Sequence, residues 1–158
     1  MTKKHHFPKD HYVGLNVAFT LCLENRTPFF VKSERVEPFV LELRSASEKY
    51  DCPCIYCFMP DHLHVVLMSK SETGHPLRAI ECFKQTTGYW FKRNAISVSW
   101  QASFYDEIIR SSRELKHQVY YIVNNPVRRG LVEDWDAYPF TGAIGCDLKQ
   151  LLSDVSCA

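Results

Sequence analysis

Large apolar residues stand at every second position from Val13 to Leu23, at 13, 15, 17, 19, 21 and 23, with smaller or polar residues between them. A period of two belongs to a strand with one buried face, so a long half-buried strand is predicted there. Glu24-Asn25-Arg26-Thr27-Pro28 interrupts it. Beyond Ser33 the pattern changes to Val36, Phe39, Val40, Leu43 and Ala46, a helical spacing that predicts a helix to about Lys49. Two short β-favouring runs follow, Cys54–Met59 and His62–Met68, and Pro60-Asp61 supplies turn chemistry between them, which predicts a hairpin. His75-Pro76 opens a segment with a second helix, in which Leu77, Ile80, Phe83, Thr87, Trp90 and Phe91 mark one side and Arg78, Lys84, Lys92 and Arg93 lie elsewhere around it. Ser97–Ile109, containing Trp100, Phe104, Tyr105, Ile108 and Ile109, suits extended structure better than helix. Ser111-Ser112-Arg113-Glu114 has the spacing of a capping box, with Ser111 as N-cap and Glu114 reaching back to its amide. The helix it starts should stop before Pro126, because the residue preceding a proline disfavours the α region.

The first six elements run strand, helix, strand, strand, helix, strand, the ferredoxin-like β-α-β-β-α-β plan of an α+β antiparallel sheet with helices on one face. An added C-terminal helix follows. A length of 158 residues fits one domain, and 46% hydrophobic against 23% charged residues excludes a disordered chain. The division expected is a flexible basic segment over 1–9, one domain over 10–142, and a tail over 143–158 in which Leu148–Val155 has the pattern of a short closing helix. Apolar runs such as Ile55–Met59 and Val65–Met68 fall far short of the roughly 18–20 residues a membrane span needs. With no signal-peptide pattern at the N-terminus either, a cytoplasmic address is the expectation. Nineteen Lys and Arg against 18 Asp and Glu leave a net charge of +1, so any nucleic-acid contact must come from local patches. Seven cysteines form an odd set, expected as reduced thiols.

Candidate chemistry centres on two places. His62 and His64 are two apart on a predicted strand and therefore face the same side. Two neutral imidazoles a few ångströms apart make half of a metal site, and the same spacing also suits a partly exposed histidine pair on a sheet. On the last helix, Leu115, Val119 and Ile122 form the apolar stripe, while Glu114, His117, Gln118, Tyr121 and Asn125 gather on the other side. Tyr121 and Asn125, one turn apart, stack there; Tyr120 points nearer Val123 and reads as packing. Tyr121 is either an amphipathic surface residue or a nucleophile. In the second case its hydroxyl attacks a nucleic-acid phosphodiester while a cation held by His62, His64 and Asn125 draws charge off the phosphoryl oxygens. A phenol, with a reference pKa of about 10, needs a metal or a nearby base for this, and Glu114, His117 and Gln118 are the candidates to assist.

Three ordered motifs carry a family resemblance: Pro60-Asp61-His62-Leu63-His64-Val65-Val66-Leu67, then Trp100-Gln101 with Phe104-Tyr105-Asp106, then Tyr121-Ile122-Val123-Asn124-Asn125-Pro126-Val127-Arg128-Arg129-Gly130-Leu131-Val132. With Trp135 and Tyr138-Pro139-Phe140 they resemble the REP-associated tyrosine transposases, within the single-tyrosine HUH transposases of the insertion-sequence 200 type, over roughly residues 10–142. Asp61 departs from relatives, which often carry Asn or Glu there. The resemblance implies a ferredoxin-like fold, His62 and His64 as metal ligands with Asn125 as the third, and Tyr121 as nucleophile. It also implies Mg2+ or Mn2+ as cofactor, and single-stranded DNA with a hairpin or palindromic element as partner. The reaction implied is cleavage beside the hairpin, with the 5′ end held on tyrosine and a 3′ hydroxyl freed for later strand transfer. A monomer or homodimer near the nucleoid fits. The alternative is a domesticated hairpin-binding protein without cleavage, and a third reading is a metal-binding structural protein.

Lys84, Lys92 and Arg93 on the second helix, and Arg110, Arg113, Arg128 and Arg129 flanking the tyrosine helix, are candidate phosphate contacts. Trp90, Trp100 and Tyr105 are candidate stacking platforms for bases, although Trp100 and Phe104 suit a core better. Cys52, Cys54 and Cys57 lack a second Cys or His pair at structural-zinc spacing and read mostly as buried thiols.

Overall fold

The computed structural model describes residues 8–153. Five strands form one antiparallel sheet: β1 (Asn16–Cys22), β2 (Cys54–Met59), β3 (His62–Met68), β4 (Tyr105–Ile109) and β5 (Thr141–Ile144), in the spatial order β4-β1-β3-β2-β5. The first four keep the ferredoxin-like arrangement, with α1 (Ser33–Lys49) and α2 (Pro76–Arg93) as the intervening helices. β2 and β3 form the predicted hairpin, pairing Cys57 with His64 and Met59 with His62. No helix of the described residues is long and apolar enough to cross a membrane.

Strand alternation divides the interior between two faces. Val17, Phe19 and Leu21 of β1 and Leu63, Val65 and Leu67 of β3 meet α1 and α2 in the larger core. Its centre is aromatic: Phe39 has Phe29, Phe30, Phe58, Phe83, Phe91 and Trp100 within 5–6.4 Å, ring centre to centre, in mostly edge-on contacts. The opposite face carries Ile55, Cys57, Met59, Val66 and Ile109, covered by α3 (Ser112–Val123) through Val119, Ile122 and Val123. The two helices of the first six elements, α1 and α2, share one face as expected, and the added helix α3 covers the other.

The remaining differences from the sequence pattern have local causes. The first strand is shorter than 13–23 because Gly14 turns at φ +77 with its amide bonded to the carbonyl of Gly74. The strand expected over 97–109 is a ladder only from Tyr105. Ahead of it only Trp100 and Phe104 are buried, while Ser97, Ser99 and Ala102 are exposed, and Trp100 bridges Leu23 while its indole N–H donates to Thr87 Oγ1 at 2.8 Å. α3 stops at Val123 as expected, but Pro126 then sits in the first turn of α4 (Asn125–Arg128), where its missing N–H costs nothing. β5 had no counterpart in the sequence pattern; it pairs with β2, Cys54 opposite Ile144, and the boundary drawn at 142 falls inside it. α5 (Leu148–Ser153) begins where the closing helix was expected, and residues 154–155 of that expectation lie outside the described residues, as does most of the 1–9 segment. α5 places Leu148, Leu151 and Leu152 against the Val119 and Val123 side of α3.

Candidate active site

β3 sends its even-numbered side chains toward α3, so His62 and His64 leave the sheet beneath that helix. Their rings are perpendicular with centroids 4.7 Å apart, and the two Nε2 atoms face each other at 3.1 Å. Each Nδ1 is held from behind. His62 Nδ1 lies 2.6 Å from Asp61 Oδ1, and His64 Nδ1 lies 3.1 Å from Thr20 Oγ1, contributed by the β1 residue directly opposite. Burial pushes the His62 pKa below its ordinary value despite the Asp61 carboxylate. Burial, with the neighbouring His62 and the positive charges of Arg128, Arg129 and Arg26, pushes His64 down to about 3. Both rings are thus neutral at pH 7, the form in which an imidazole can bind a metal. An octahedral cation with bonds of about 2.1 Å to two adjacent ligands sets those ligands about 3 Å apart, the spacing that these two nitrogens already have.

Two residues of this centre were not singled out as site residues by the sequence pattern, Arg26 and Asp61. Arg26 donates from Nε to Asp61 Oδ2 at 2.8 Å, with Nη2 3.4 Å from His62 Nδ1 and Nη1 3.5 Å from Cys22 Sγ. Burial raises the Asp61 pKa, but the hydrogen bonds to Arg26 and His62 outweigh it and hold the carboxyl below its usual range. Asp61 reads locally as a turn residue, and Arg26 is 36 residues from His62; only the pairing of β1 with β3 unites them.

α3 begins as the sequence predicts, with the Ser111 hydroxyl accepting from the Glu114 amide at 3.1 Å. The Glu114 carboxylate reaches one residue further than a capping box requires and takes the amide of Arg110 at 2.8 Å. That leaves Glu114 occupied as a helix cap. Near the other end, Tyr121 is half exposed and its ring centre is 6.4 Å from that of His64. Tyr120 is as exposed as Tyr121, against the expectation that it packs. The chain breaks at Asn124, and α4 then carries Arg128 back over Tyr121, its guanidinium carbon 3.9 Å from the ring centre. Asn125 is buried, and its Oδ1 accepts from Arg128 Nη2 at 3.4 Å.

A cleft of about 710 Å³ opens from this centre between α3 and the β1–β4 strands, lined by His64, Tyr121, His117, Gln118, Glu107 and Tyr105 among others. His117 is exposed on its rim, and Gln118 donates to Glu107 Oε2 at 2.9 Å, a carboxylate that the sequence pattern did not single out. Arg128 and Arg129 act on His64 by charge, and Arg110 and Arg113 flank the start of α3. Lys84, Lys92 and Arg93 do not join them, because α2 covers the other face of the sheet. Lys84 donates to the carbonyl of Ala102 at 2.8 Å, and Arg93 lies over Tyr89. Trp90 and Trp100 pack in the aromatic core, whereas Tyr105 is 63% exposed in the cleft. Burial raises the thiols of Cys52 and Cys57 to about 11 and that of Cys54 further, and Cys54 and Cys57 serve cores on opposite sheet faces. Such thiols are poor zinc ligands. Among the described residues no trio of His, Cys, Asp and Glu gathers that could hold an ion.

Comparison with known proteins gives a consistent picture. The family model for IS200-like transposases matches residues 11–125. A Haemophilus influenzae (strain Rd) protein assigned to the REP-associated tyrosine transposases is 24% identical over 147 residues, covering 85% of this chain and 83% of that protein. The REP-associated tyrosine transposase of Escherichia coli K12 is 30% identical over 84 residues, 52% of this chain and 48% of its own length. A solved structure of a REP-associated tyrosine transposase bound to a REP hairpin matches with a TM-score of 0.64 at 18% identity, over 89% of this chain and 81% of that one. At that identity the likeness speaks for the fold.

Proposed function

The chain belongs to the IS200-like transposase family, and from that premise we propose that it is a metal-dependent single-stranded DNA endonuclease and strand transferase acting through Tyr121. One observation carries the reading: the Nε2 atoms of two neutral imidazoles converge, and one of the two, His64, lines the same cleft as a half-exposed tyrosine whose ring centre is 6.4 Å from its own. A merely structural histidine pair has no need of the tyrosine, and a surface tyrosine has no need of the pair.

His62 and His64 would hold Mg2+ or Mn2+, with the Asn125 amide oxygen as third ligand, and the bound cation supplies positive charge to the non-bridging oxygens of the phosphodiester. The Tyr121 oxygen attacks phosphorus as its phenolic proton leaves to solvent. The bond from phosphorus to the 3′ oxygen breaks, that oxygen takes up a proton, and the 5′ phosphate remains on tyrosine. Attack by a 3′ hydroxyl on the phosphotyrosine reverses the step and joins strands. Arg128 and Arg129, with Arg110 and Arg113 at the far end of α3, hold backbone phosphates. His117 and Gln118 line the cleft with Tyr121 and, with Glu114 engaged as a cap, are the side chains that would assist the departure of its proton. Tyr121 lies beside the histidines of its own chain, which supports cleavage within one protomer, monomeric or paired. The hairpin named with the solved relative supports a DNA hairpin or palindrome as the element recognised here, and a cytoplasmic, nucleoid-associated location suits such a substrate.

The test is incubation of the protein with hairpin-bearing single-stranded oligonucleotides and Mn2+ or Mg2+, read on a denaturing gel as a protein–DNA adduct. The adduct is expected in the wild type and in Tyr120→Phe. It should vanish in Tyr121→Phe, which keeps hairpin affinity, and fall by at least about a hundredfold in His64→Ala. Hairpin binding without an adduct under either cation would establish the non-cleaving binding protein instead.

A further inference from the structure

We propose that Arg26 and Asp61 are positioning residues for the cation site: Arg26 anchors the Asp61 carboxylate, which accepts a hydrogen bond from His62 Nδ1–H and so leaves the Nε2 lone pair facing His64. The proposal rests on the reading above that His62 and His64 share a cation.

The geometry at His62 Nδ1 admits one assignment. Asp61 Oδ1 lies 2.6 Å from this nitrogen and Arg26 Nη2 lies 3.4 Å from it. If Nδ1 carried no proton, its lone pair would meet the carboxylate at the short distance and accept only the long, weak contact from arginine. If Nδ1 carries the proton, the short contact is a charge-assisted hydrogen bond and the long one is not needed. The second arrangement wins, and it places the free lone pair of His62 on Nε2.

Asp61 needs a restraint to hold that position, since its side chain is 24% exposed and a free carboxylate beside a cation site would turn to bind the ion itself. Arg26 supplies it, Nε to Oδ2 at 2.8 Å, so that one carboxylate oxygen is spent on the guanidinium and the other on the imidazole. The salt link also cancels the carboxylate's charge, so Asp61 orients a ligand instead of becoming one. The aim of Arg26 depends on an uncommon backbone. Asn25 and Arg26 are consecutive non-glycine residues in the left-handed region, at φ 59 and φ 51. Strain of this kind persists where the surroundings fix it and clusters at functional sites. Here the amide of Leu23 bonds the carbonyl of Asp61 at 3.0 Å and that of Arg26 bonds the carbonyl of Leu23 at 3.0 Å, tying the turn to the start of β3.

Two measurements on the full chain test this: the imidazole tautomers of the metal-free protein, from long-range 15N–1H correlation spectra, and Mn2+ affinity. In the wild type His62 should show the Nδ1–H form. Arg26→Ala and Asp61→Ala should each populate the Nε2–H form and weaken Mn2+ about tenfold or more. The double variant should lose no more than the larger single loss, because the two act as one unit. Arg26→Lys, which keeps the charge without the fork, should recover part of the loss and serves also should Arg26→Ala fail to fold. A wild-type tautomer and wild-type Mn2+ affinity in Arg26→Ala overturns the positioning role, as do losses that add. A wild-type chain that binds neither Mn2+ nor Mg2+ overturns the cation reading, and this role with it.

Discussion

His62 and His64 were legible as a pair because residues two apart on a strand must share a face, whatever the rest of the chain does. Tyr121 was legible for the related reason that it interrupts no apolar stripe. Arg26 was not, since its contribution depends on two left-handed residues and a partner 36 positions away, neither of which leaves a periodic trace. Tyr120 was misread because α3 is narrow on its buried side: Val119, Ile122 and Val123 suffice to cover the sheet, and Tyr120 has nothing to pack against. The same burial that keeps the imidazoles neutral has a measurable sign. In the unfolded chain histidine titrates near pH 6.5, whereas folded His62 and His64 lie lower. As pH falls below about 6.5 the unfolded state therefore binds protons that the native state refuses, and stability drops. The metal-free chain should melt at a lower temperature at about pH 5 than at about pH 7.5; equal melting temperatures would contradict the burial of these rings. The raised thiols lead to a second expectation: Cys52, Cys54 and Cys57 should resist iodoacetamide in the folded chain at mildly alkaline pH and react once it is unfolded.

At the level of elements, the hairpin and the three long helices followed from period and caps, and the parts that did not follow were those created by their surroundings. β5 is four residues long and contains Gly142, too little for any periodicity; it becomes a strand because β2 has an open edge to pair with. Its glycine leaves room for the end of the Tyr56 side chain. A Cβ at 142 would run into the Tyr56 hydroxyl, so Gly142→Ala should displace Tyr56 and lower the melting temperature. α3 illustrates the opposite case, an element secured twice. Ser111→Ala removes one cap at a cost of about 1 kcal/mol, which for a chain of this size is a melting shift of roughly 2–4 °C. The contacts of Val119, Ile122 and Val123 remain, so adduct formation at moderate temperature should persist. Loss of the adduct in Ser111→Ala would mean that the cap, not the packing, places Tyr121.

Seen whole, the molecule is nearly neutral, yet its arginines are unevenly placed: Arg26, Arg128 and Arg129 all act on His64, while Lys92 and Arg93 sit on the far side of the sheet. Removal of one phosphate contact lowers the salt slope of DNA binding by about one. Arg129→Ala should do so and Lys92→Ala should not; equal slopes for the two would place DNA on both faces. The layering of the sheet also has a consequence for the order in which a ribosome delivers the parts. The hairpin with both imidazoles is complete at Met68, when the larger core still lacks α2 and the histidine face is bare. α3 arrives more than forty residues later, and β5 and α5, which close the edge and back the helix, arrive after that. A nascent chain thus carries its paired imidazoles long before it carries Tyr121, so on the proposed mechanism cleavage must wait until α3 has been made and has folded onto the sheet.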